Sequence, residues 1–439
     1  MNYEEYQIKL EEKATLVSIV CSNFEFHNSL EQTQASLIEL KELLRTLGVE
    51  TGSSHFQNKN KADPATMLGE GKLIEIAEEA KREGSSLLVF DFELTASQMR
   101  NIKRITGLEV IDRCMVILEI FAHHARTKDA KIQIEISRLN YMLPRLQSLW
   151  THFSKQKGGI GMKGEGEQQL EIDRRIIRDK IAFYKKQLIE IEKTRKEQRK
   201  HREHNVVTAA LVGYTNAGKS SLMNKLCKVN VLAENKLFAT LDSTYRTLNP
   251  DSKPPMVLID TVGFIQNLPS TLVEGFKTTL ESALEADLLI IVCDLSDPNY
   301  QKHLEVTQEV ISELDIEDKD QIIVFTKKDL ITDPFLPKIV MRNLKASFLV
   351  SALNDDDIFN LRNYVIEYFL SKQEHFDLFI PYEDGLAQSN VLSNANIINT
   401  HHHEKGTYFR IRIPSFIFNK LGLSSYILAP DDVNQFILK

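Results

Sequence analysis

Residues 206–226 read VVTAALVGYTNAGKSSLMNKL, and this stretch decides how the remainder is read. An apolar run leads into G-x-x-x-x-G-K-S at 213–220, and SLMNKL then starts a helix. Strand, glycine-bearing turn and helix in that order are the context that a phosphate-binding loop requires. Gly213 and Gly218 let the backbone wrap a phosphate chain with amide hydrogens turned inward, and Tyr214, Thr215, Asn216 and Ala217 complete the loop. Lys219 sets a positive charge against the β- and γ-phosphates, and the Ser220 hydroxyl is a ligand for Mg²⁺. A chance match is the alternative, and the flanking strand and helix weigh against it.

Toward the C-terminus, the apolar runs MVLIDTVG, ADLLIIVCDL, QIIVFTKKD and ASFLVSA recur between helical stretches. Each suits the interior of a mainly parallel sheet and ends in a polar or glycine-bearing loop, where ligands of such sheets bind. In LIDTVG, Asp260 is placed to hold Mg²⁺ through water, Gly263 to meet the γ-phosphate by its amide, and Thr261 and Val262 to line the site. Between this run and the phosphate loop lies FATLDSTYR, residues 238–246. A threonine here joins the metal shell only with the γ-phosphate present. Thr240 is the first choice, flanked by Phe238, Ala239, Leu241 and Asp242, with Thr244 in reserve. The segment is expected to order with triphosphate and loosen after hydrolysis.

The base is read by TKKD, Thr326, Lys327, Lys328 and Asp329. Asp329 can accept two hydrogen bonds from guanine N1 and N2, whereas a buried Asp329 would stay unpaired against adenine. The usual first residue is Asn. Thr326 has no amide to bridge to the phosphate loop or to guanine, so guanine preference should survive with lower affinity. Ser351, Ala352 and Leu353 form the last guanine-supporting loop, Ser351 and Ala352 through backbone amides. Phe264 stands where many GTPases carry a glutamine that orients the attacking water. Phenylalanine cannot hydrogen-bond water, so slow intrinsic turnover is expected; the alternative is that Phe264 is core. Lys219, Thr240, Gly263 and Phe264 are the catalytic positions. Asn216 is a candidate ligand for K⁺, supplying one oxygen of the several an ion needs.

Toward the N-terminus, ATLVSIV, SLLVFDF and LEVIDR have the character of buried strands, and SLIELKELLRTLG and EGKLIEIAEEAKREG that of helices capped by Gly48 and Gly84. Residues 1–126 therefore form an α/β domain. Ile132, Ile136, Leu139, Leu143, Leu146 and Trp150 then step by four, three, four, three and four. Leu170, Ile177, Ile181, Tyr184, Leu188 and Ile191 repeat that rhythm beyond KGGIGMKGEG, which holds five of the eighteen glycines. Two stripes joined by a short loop make an antiparallel helical hairpin over 127–204 with its tip at 157–166. Pro144 should kink the first helix. From Arg174 to Arg202 twelve Lys/Arg face four Asp/Glu, a basic stretch in a chain of net charge −7. One directed polyanion contact fits that asymmetry, as does a plain solvated coiled coil.

The whole is α/β: a P-loop GTPase domain at 205–373 with a mainly parallel sheet, the N-terminal domain, the hairpin, and a small α+β domain at 374–439 that includes the strand YFRIRI. With 439 residues the chain exceeds one ordinary core. No apolar run nears the roughly 18 residues of a membrane span. The start, MNYEEYQIKLEEK, lacks the basic and apolar regions of a signal peptide. Four scattered cysteines, Cys21, Cys114, Cys227 and Cys293, suggest free thiols in a reducing cytoplasm. His401, His402 and His403, consecutive in a polar loop, are poor candidates for one metal ion.

Taken together, the chain resembles the HflX-type GTPases, a bacterial ribosome-associated family of the Obg-HflX-like superfamily. The resemblance is carried by DPATMLGEGK at 63–72, DRCMVILEIFAHHART at 112–127, LPRL at 143–146, GGIGMKGEGEQQLEIDRR at 158–175, GYTNAGKSSLMNKL, LFATLDSTYR and DTVGFIQNLP. Glu165 and Gln168 depart from the usual proline and threonine, and Thr326 from the usual asparagine. The resemblance implies a GTPase using GTP/GDP and Mg²⁺ that binds the 50S ribosomal subunit (23S rRNA and ribosomal proteins) and splits stalled or idle 70S ribosomes. The hairpin tip would reach toward the peptidyl-transferase centre, its glycines letting backbone enter a confined RNA cavity. The large subunit would stimulate hydrolysis. The protein would be a cytoplasmic monomer, with peripheral membrane association and N-terminal ATP-related activity as lesser readings; residues 1–130 hold no second phosphate loop. The competing functions are a 50S assembly or regulatory factor that splits nothing, and a switch whose arm is a dimerising coiled coil.

Overall fold

A computed structural model describes residues 13–22, 27–146, 165–200, 206–228, 244–265, 285–314, 316, 318–343 and 347–429. The chain forms two compact units, one chiefly Met1–Glu192, the other chiefly Lys193–Ala233, Ser243–Phe264 and Glu281–Lys439.

In the first unit, β1 (Lys13–Val20), β2 (Glu50–Asn58), β3 (Leu87–Phe90) and β4 (Glu109–Asp112) form a parallel sheet in the order β2-β1-β3-β4. Parallel pairing needs crossovers, and α1 (Leu30–Thr46), α2 (Glu70–Arg82) and α3 (Ala96–Thr106) supply them. Ser29 caps α1 by accepting from the Gln32 amide, and Thr95 with Gln98 makes a capping box on α3. Gly48 and Gly84 follow the helix ends with φ of 80° and 76°, the left-handed conformation a glycine adopts without strain. Val17, Ile19, Leu73, Ile76, Leu88, Phe90 and Ile102 are buried together. Fully burying each such side chain contributes about 1.5–3 kcal/mol. Strand β2 was not expected, because ETGSSHFQN is polar; it lies on the sheet edge, where half-exposure tolerates polar side chains.

Charges cluster where these strands end. Arg113, at the start of α4 (Arg113–His124), is 1% exposed; its Nη1 donates to Asp91 Oδ1 at 2.8 Å and its Nη2 to Glu39. Asp112 accepts from the Leu94 amide at 3.0 Å, the Met115 amide at 3.1 Å and the Tyr141 hydroxyl at 2.9 Å. Arg145 Nη2 lies 3.5 Å from the same carboxylate. Burial pushes the Asp91 and Asp112 carboxyls up, against the pull of Arg113 and Arg145 respectively.

Arg145 belongs to the short turn that follows the next helix. Helix α5 (Lys128–Met142) passes into a 3₁₀ turn over Leu143–Arg145, so Pro144 tightens the helix into a different turn. Helix α6 (Glu165–Lys200) follows, and Leu139, Leu146 and Ile177 bury one another with Leu143, Ile181 and Tyr184 packed alongside. Trp150 and residues 157–164 of the expected tip lie outside the described residues.

In the second unit, β5 (Val207–Gly213) is followed by α7 (Lys219–Leu226), β6 (Thr244–Asn249), β7 (Met256–Asp260), β8 (Leu288–Asp294), α8 (Tyr300–Glu313), β9 (Gln321–Thr326), α9 (Leu336–Asn343), β10 (Ser347–Leu349) and α10 (Asp355–Ser371). The sheet order is β10-β9-β8-β5-β7-β6, parallel except for β6 against β7. Leu211, Leu222, Leu258, Ile290, Val324 and Leu361 share one core. Next come β11 (Glu374–Pro381), α11 (Gly385–Asn394), β12 (Asn396–His403), β13 (Gly406–Ile413) and α12 (Ser415–Lys420), with an antiparallel sheet β11-β13-β12. His401, His402 and His403 therefore end a strand rather than occupy a loop: β13 pairs with them through Tyr408, Thr407 and Gly406. No metal-binding cluster occurs among the described residues. The β6–β7 turn is tied to this sheet. The Lys253 amide donates to Asn396 Oδ1 at 2.8 Å, and Gln373 Nε2 donates to the Lys253 carbonyl at 3.2 Å.

Candidate functional site

Residues from the ends of β5, β7, β8 and β9 meet at one edge of the second unit's sheet. Gly213 ends β5 with φ of 151°, and a Cβ there would lie 2.1 Å from the Val292 carbonyl oxygen. Any side chain would force β5 from β8, so glycine is obligatory. Gly218 caps α7 at φ 90°, again left-handed. Between them the loop curls so that Lys219 Nζ donates to the carbonyls of Gly213 at 3.0 Å and Tyr214 at 2.8 Å. Lys219 is 7% exposed, and burial lowers its pKa to about 8, with Asp260 opposing the shift. The Thr215 hydroxyl is buried with no hydrogen-bond partner among the described residues.

Ser220 follows on the first turn of α7, and its Oγ donates to Asp260 Oδ2 at 2.6 Å. Asp260 ends β7 and is 3% exposed. Thr261 turns inward, its hydroxyl donating to the Leu211 carbonyl at 2.6 Å, and Val262 is buried. A Cβ on Gly263 would sit 2.7 Å from Thr215 Cα and 2.9 Å from Lys219 Nζ, so the chain passes directly over the loop. Phe264 is 3% exposed and pairs backbone to backbone with that loop: its amide donates to Gly213 at 3.0 Å and its carbonyl accepts from Thr215 at 2.7 Å.

At the end of β9, Thr326 differs from expectation. Its hydroxyl donates to the Ala217 carbonyl at 2.7 Å, with the Cys293 carbonyl 3.3 Å away. The phosphate loop passes close enough that a hydroxyl bridges where an amide was thought necessary. Lys327, at φ 56°, pairs with Asp294 at 2.7 Å, and Lys328 with Asp357 at 3.0 Å. Asp329 is exposed rather than buried, and its Oδ1 accepts from the Ser351 hydroxyl at 2.5 Å. The Ser351 amide, expected to face guanine, donates to Asp357 at 3.0 Å, and the Leu353 amide donates to Ser351 Oγ at 3.1 Å. Ala352 lies between them. Asn216 is exposed at φ 59°. Phe238, Ala239, Thr240, Leu241 and Asp242 lie outside the described residues.

Sequence reasoning missed two contacts. The Tyr214 ring stacks on His303 of α8, with centroids 3.9 Å apart and planes 9° from parallel, and Asp294 braces Lys327. Both join segments far apart in the chain, and no local pattern announces them.

A parallel sheet, a glycine-flanked loop around a buried lysine, a serine–aspartate pair and a TKKD corner define a P-loop GTPase. Comparison with known families agrees: residues 34–122 match the GTP-binding GTPase N-terminal family, 124–202 the GTP-binding GTPase middle region, and 208–327 the family described as 50S ribosome-binding GTPase. GTPase HflX of Lacrimispora saccharolytica is 36% identical over 417 residues, covering 94% of this chain and 96% of the relative. GTPase HflX of Flavobacterium psychrophilum is 44% identical over 318 residues, 72% and 76% of the two chains, and that of Escherichia coli K12 41% over 310, 70% and 72%. A GTP-binding protein from the archaeon Sulfolobus solfataricus, solved with GDP, aligns over 81% of this chain and 99% of its own at 24% identity and a TM-score of 0.44. The chain belongs to the HflX GTPases: it binds GTP and GDP and hydrolyses GTP. No helix among the described residues is long and apolar enough to cross a membrane.

Proposed function

We propose that this HflX GTPase binds the 50S ribosomal subunit as a monomer and splits stalled or idle 70S ribosomes, with hydrolysis stimulated by the large subunit. The observation that carries the reading is the match of 208–327 to a family described as 50S ribosome-binding, in a chain to which one HflX relative aligns along 94% of its length. The basic helix α6 supports it. The excess of Lys and Arg in its sequence from Arg174 onward suits rRNA phosphates, which position a protein without reading sequence. The tip at 157–166 is assigned to the cavity near the peptidyl-transferase centre.

In this reading the amides of 213–218 cradle the phosphates and Lys219 leaves its two carbonyls for the β- and γ-phosphates. The buried Thr215 hydroxyl faces an acceptor when nucleotide fills the cradle. Ser220 and Asp260 are hard oxygen donors 2.6 Å apart, a donor set that fits Mg²⁺. Ser220 and, from the segment before β6, Thr240 would hold the ion, which supplies charge neutralisation at the phosphates. Gly263 offers its amide to the γ-phosphate, and buried Phe264 cannot orient water, so that group comes from the ribosome. Asp329 and the Ser351–Leu353 loop hold guanine, and the Asn216 oxygen is one ligand for K⁺.

Sedimentation of 70S ribosomes through sucrose with saturating protein and a GTP analogue tests this. Conversion to 50S and 30S peaks is expected. Intact 70S with protein co-sedimenting on 50S would replace splitting by the assembly-factor reading, and no ribosomal binding would overturn both.

A further inference from the structure

We infer that His303 is a positioning residue for GTP hydrolysis, acting through the Tyr214 ring of the phosphate loop. The two rings lie 3.9 Å apart and 9° from parallel, and Tyr214 is 5% exposed. Such a stack fixes ring position beyond simple burial. His303 is itself held: its amide donates to the Asn299 carbonyl at 3.0 Å and its carbonyl accepts from Thr307 Oγ1 at 2.8 Å. Its Nδ1 lies 3.9 Å from Asp297 Oδ2. The rings thus clamp the phosphate loop to the start of α8.

Tyr214 is tied to both groups assigned to the γ-phosphate. Its carbonyl takes Lys219 Nζ at 2.8 Å, and its two neighbours, Gly213 and Thr215, make the backbone bonds to Phe264. A shift of the Tyr214 peptide therefore moves Lys219 and the segment carrying Gly263 together. Asp294, the last residue of β8, pairs with Lys327 of the base corner. One short segment, 294–303, braces both ends of the nucleotide site. GDP lacks the γ-phosphate, so loss of the stack should act on hydrolysis more than on GDP affinity. Displacements of about 1 Å at reacting groups cost up to 100-fold in rate.

The test is single-turnover GTP hydrolysis and GDP titration by the full-length protein without ribosomes. His303→Ala is expected to lower the hydrolysis rate about tenfold with GDP affinity within about threefold of wild type. His303→Phe, which keeps a ring, should restore the rate. Adding His303→Ala to Tyr214→Ala should cost nothing further. If His303→Ala fails to fold, His303→Gln, with bulk but no ring, makes the same comparison with His303→Phe. An unchanged rate overturns the inference, as does a fall shared equally by GDP affinity that His303→Phe does not repair. The inference rests on Lys219 meeting the β- and γ-phosphates: Lys219→Ala with unchanged GTP affinity and hydrolysis overturns that reading as well, whereas a Lys219→Ala that loses both beside an unaffected His303→Ala overturns the inference alone.

Discussion

The two parallel sheets handle charge at their strand ends in opposite ways. In the first unit Asp91 follows β3 and Asp112 ends β4, and each buried carboxylate meets a guanidinium, Arg113 or Arg145. In the second, Lys219 sits at an equivalent edge, but its hydrogen-bond acceptors are two neutral carbonyls. A charge answered by an opposite charge leaves little field for a ligand. A buried ammonium held by carbonyls keeps its charge available, and an incoming phosphate gains what desolvation withheld. On the proposed reading, the contrast separates a salt-linked network in one sheet from a nucleotide site in the other.

The sharpest way to break this contrast is Arg113→Met, which leaves Asp91 and Glu39 facing a buried apolar stem. Destabilisation of the first unit by about 3–5 kcal/mol is expected, read by hydrogen exchange at the Val89 and Phe90 amides. Pairing it with Asp91→Leu should recover much of the loss, and GTP hydrolysis per folded molecule should not change. A cost under about 1 kcal/mol would show that the network is not the prop described. Lys219→Ala should cut GTP hydrolysis about 100- to 1,000-fold while leaving exchange in the first unit untouched. Next in size is pH. Burial lowers the Lys219 pKa to about 8 and phosphate favours the charged form, so apparent GTP affinity should fall as pH rises through that value. Fluorescence titration should show about a tenfold loss between pH 7 and pH 9. The folding term has the opposite sense: between about 8 and the unfolded value of 10.5 the unfolded chain binds more protons, so this group adds stability as pH rises. Smallest is Thr326→Val, which removes the hydroxyl from the Ala217 carbonyl. About 1 kcal/mol, or fivefold in GDP affinity, is expected by calorimetry.

What was legible in the sequence follows from how each feature is encoded. The phosphate loop is contiguous, and its glycines answer to steric facts of the loop itself, so Gly213, Gly218, Lys219 and Ser220 are legible in the sequence alone. The buried strands β1, β3, β5, β7, β8 and β9 announce themselves because both faces are covered and most positions are apolar. β2 and β6 lie at sheet edges with polar faces, and their runs look like loops. The motif suggests a buried Asp329, yet it is exposed, since exposure depends on what packs above it. Thr326 lacks the amide its motif usually carries, but its 2.7 Å approach to the Ala217 carbonyl lets a hydroxyl bridge, and no local sequence encodes that distance. The Tyr214–His303 stack depends on α8 returning across β5, which no window of sequence contains.

One bond pattern bears on how this protein should be dissected. Lys253 is gripped by Asn396 and Gln373, and three residues later begins β7, a five-residue strand with Asp260 at its far tip. The terminal three-stranded sheet is thus no detachable appendage. Cutting the gene after α10 would unhook the near end of the rod that carries Asp260, and any lost turnover would belong partly to that slackened rod.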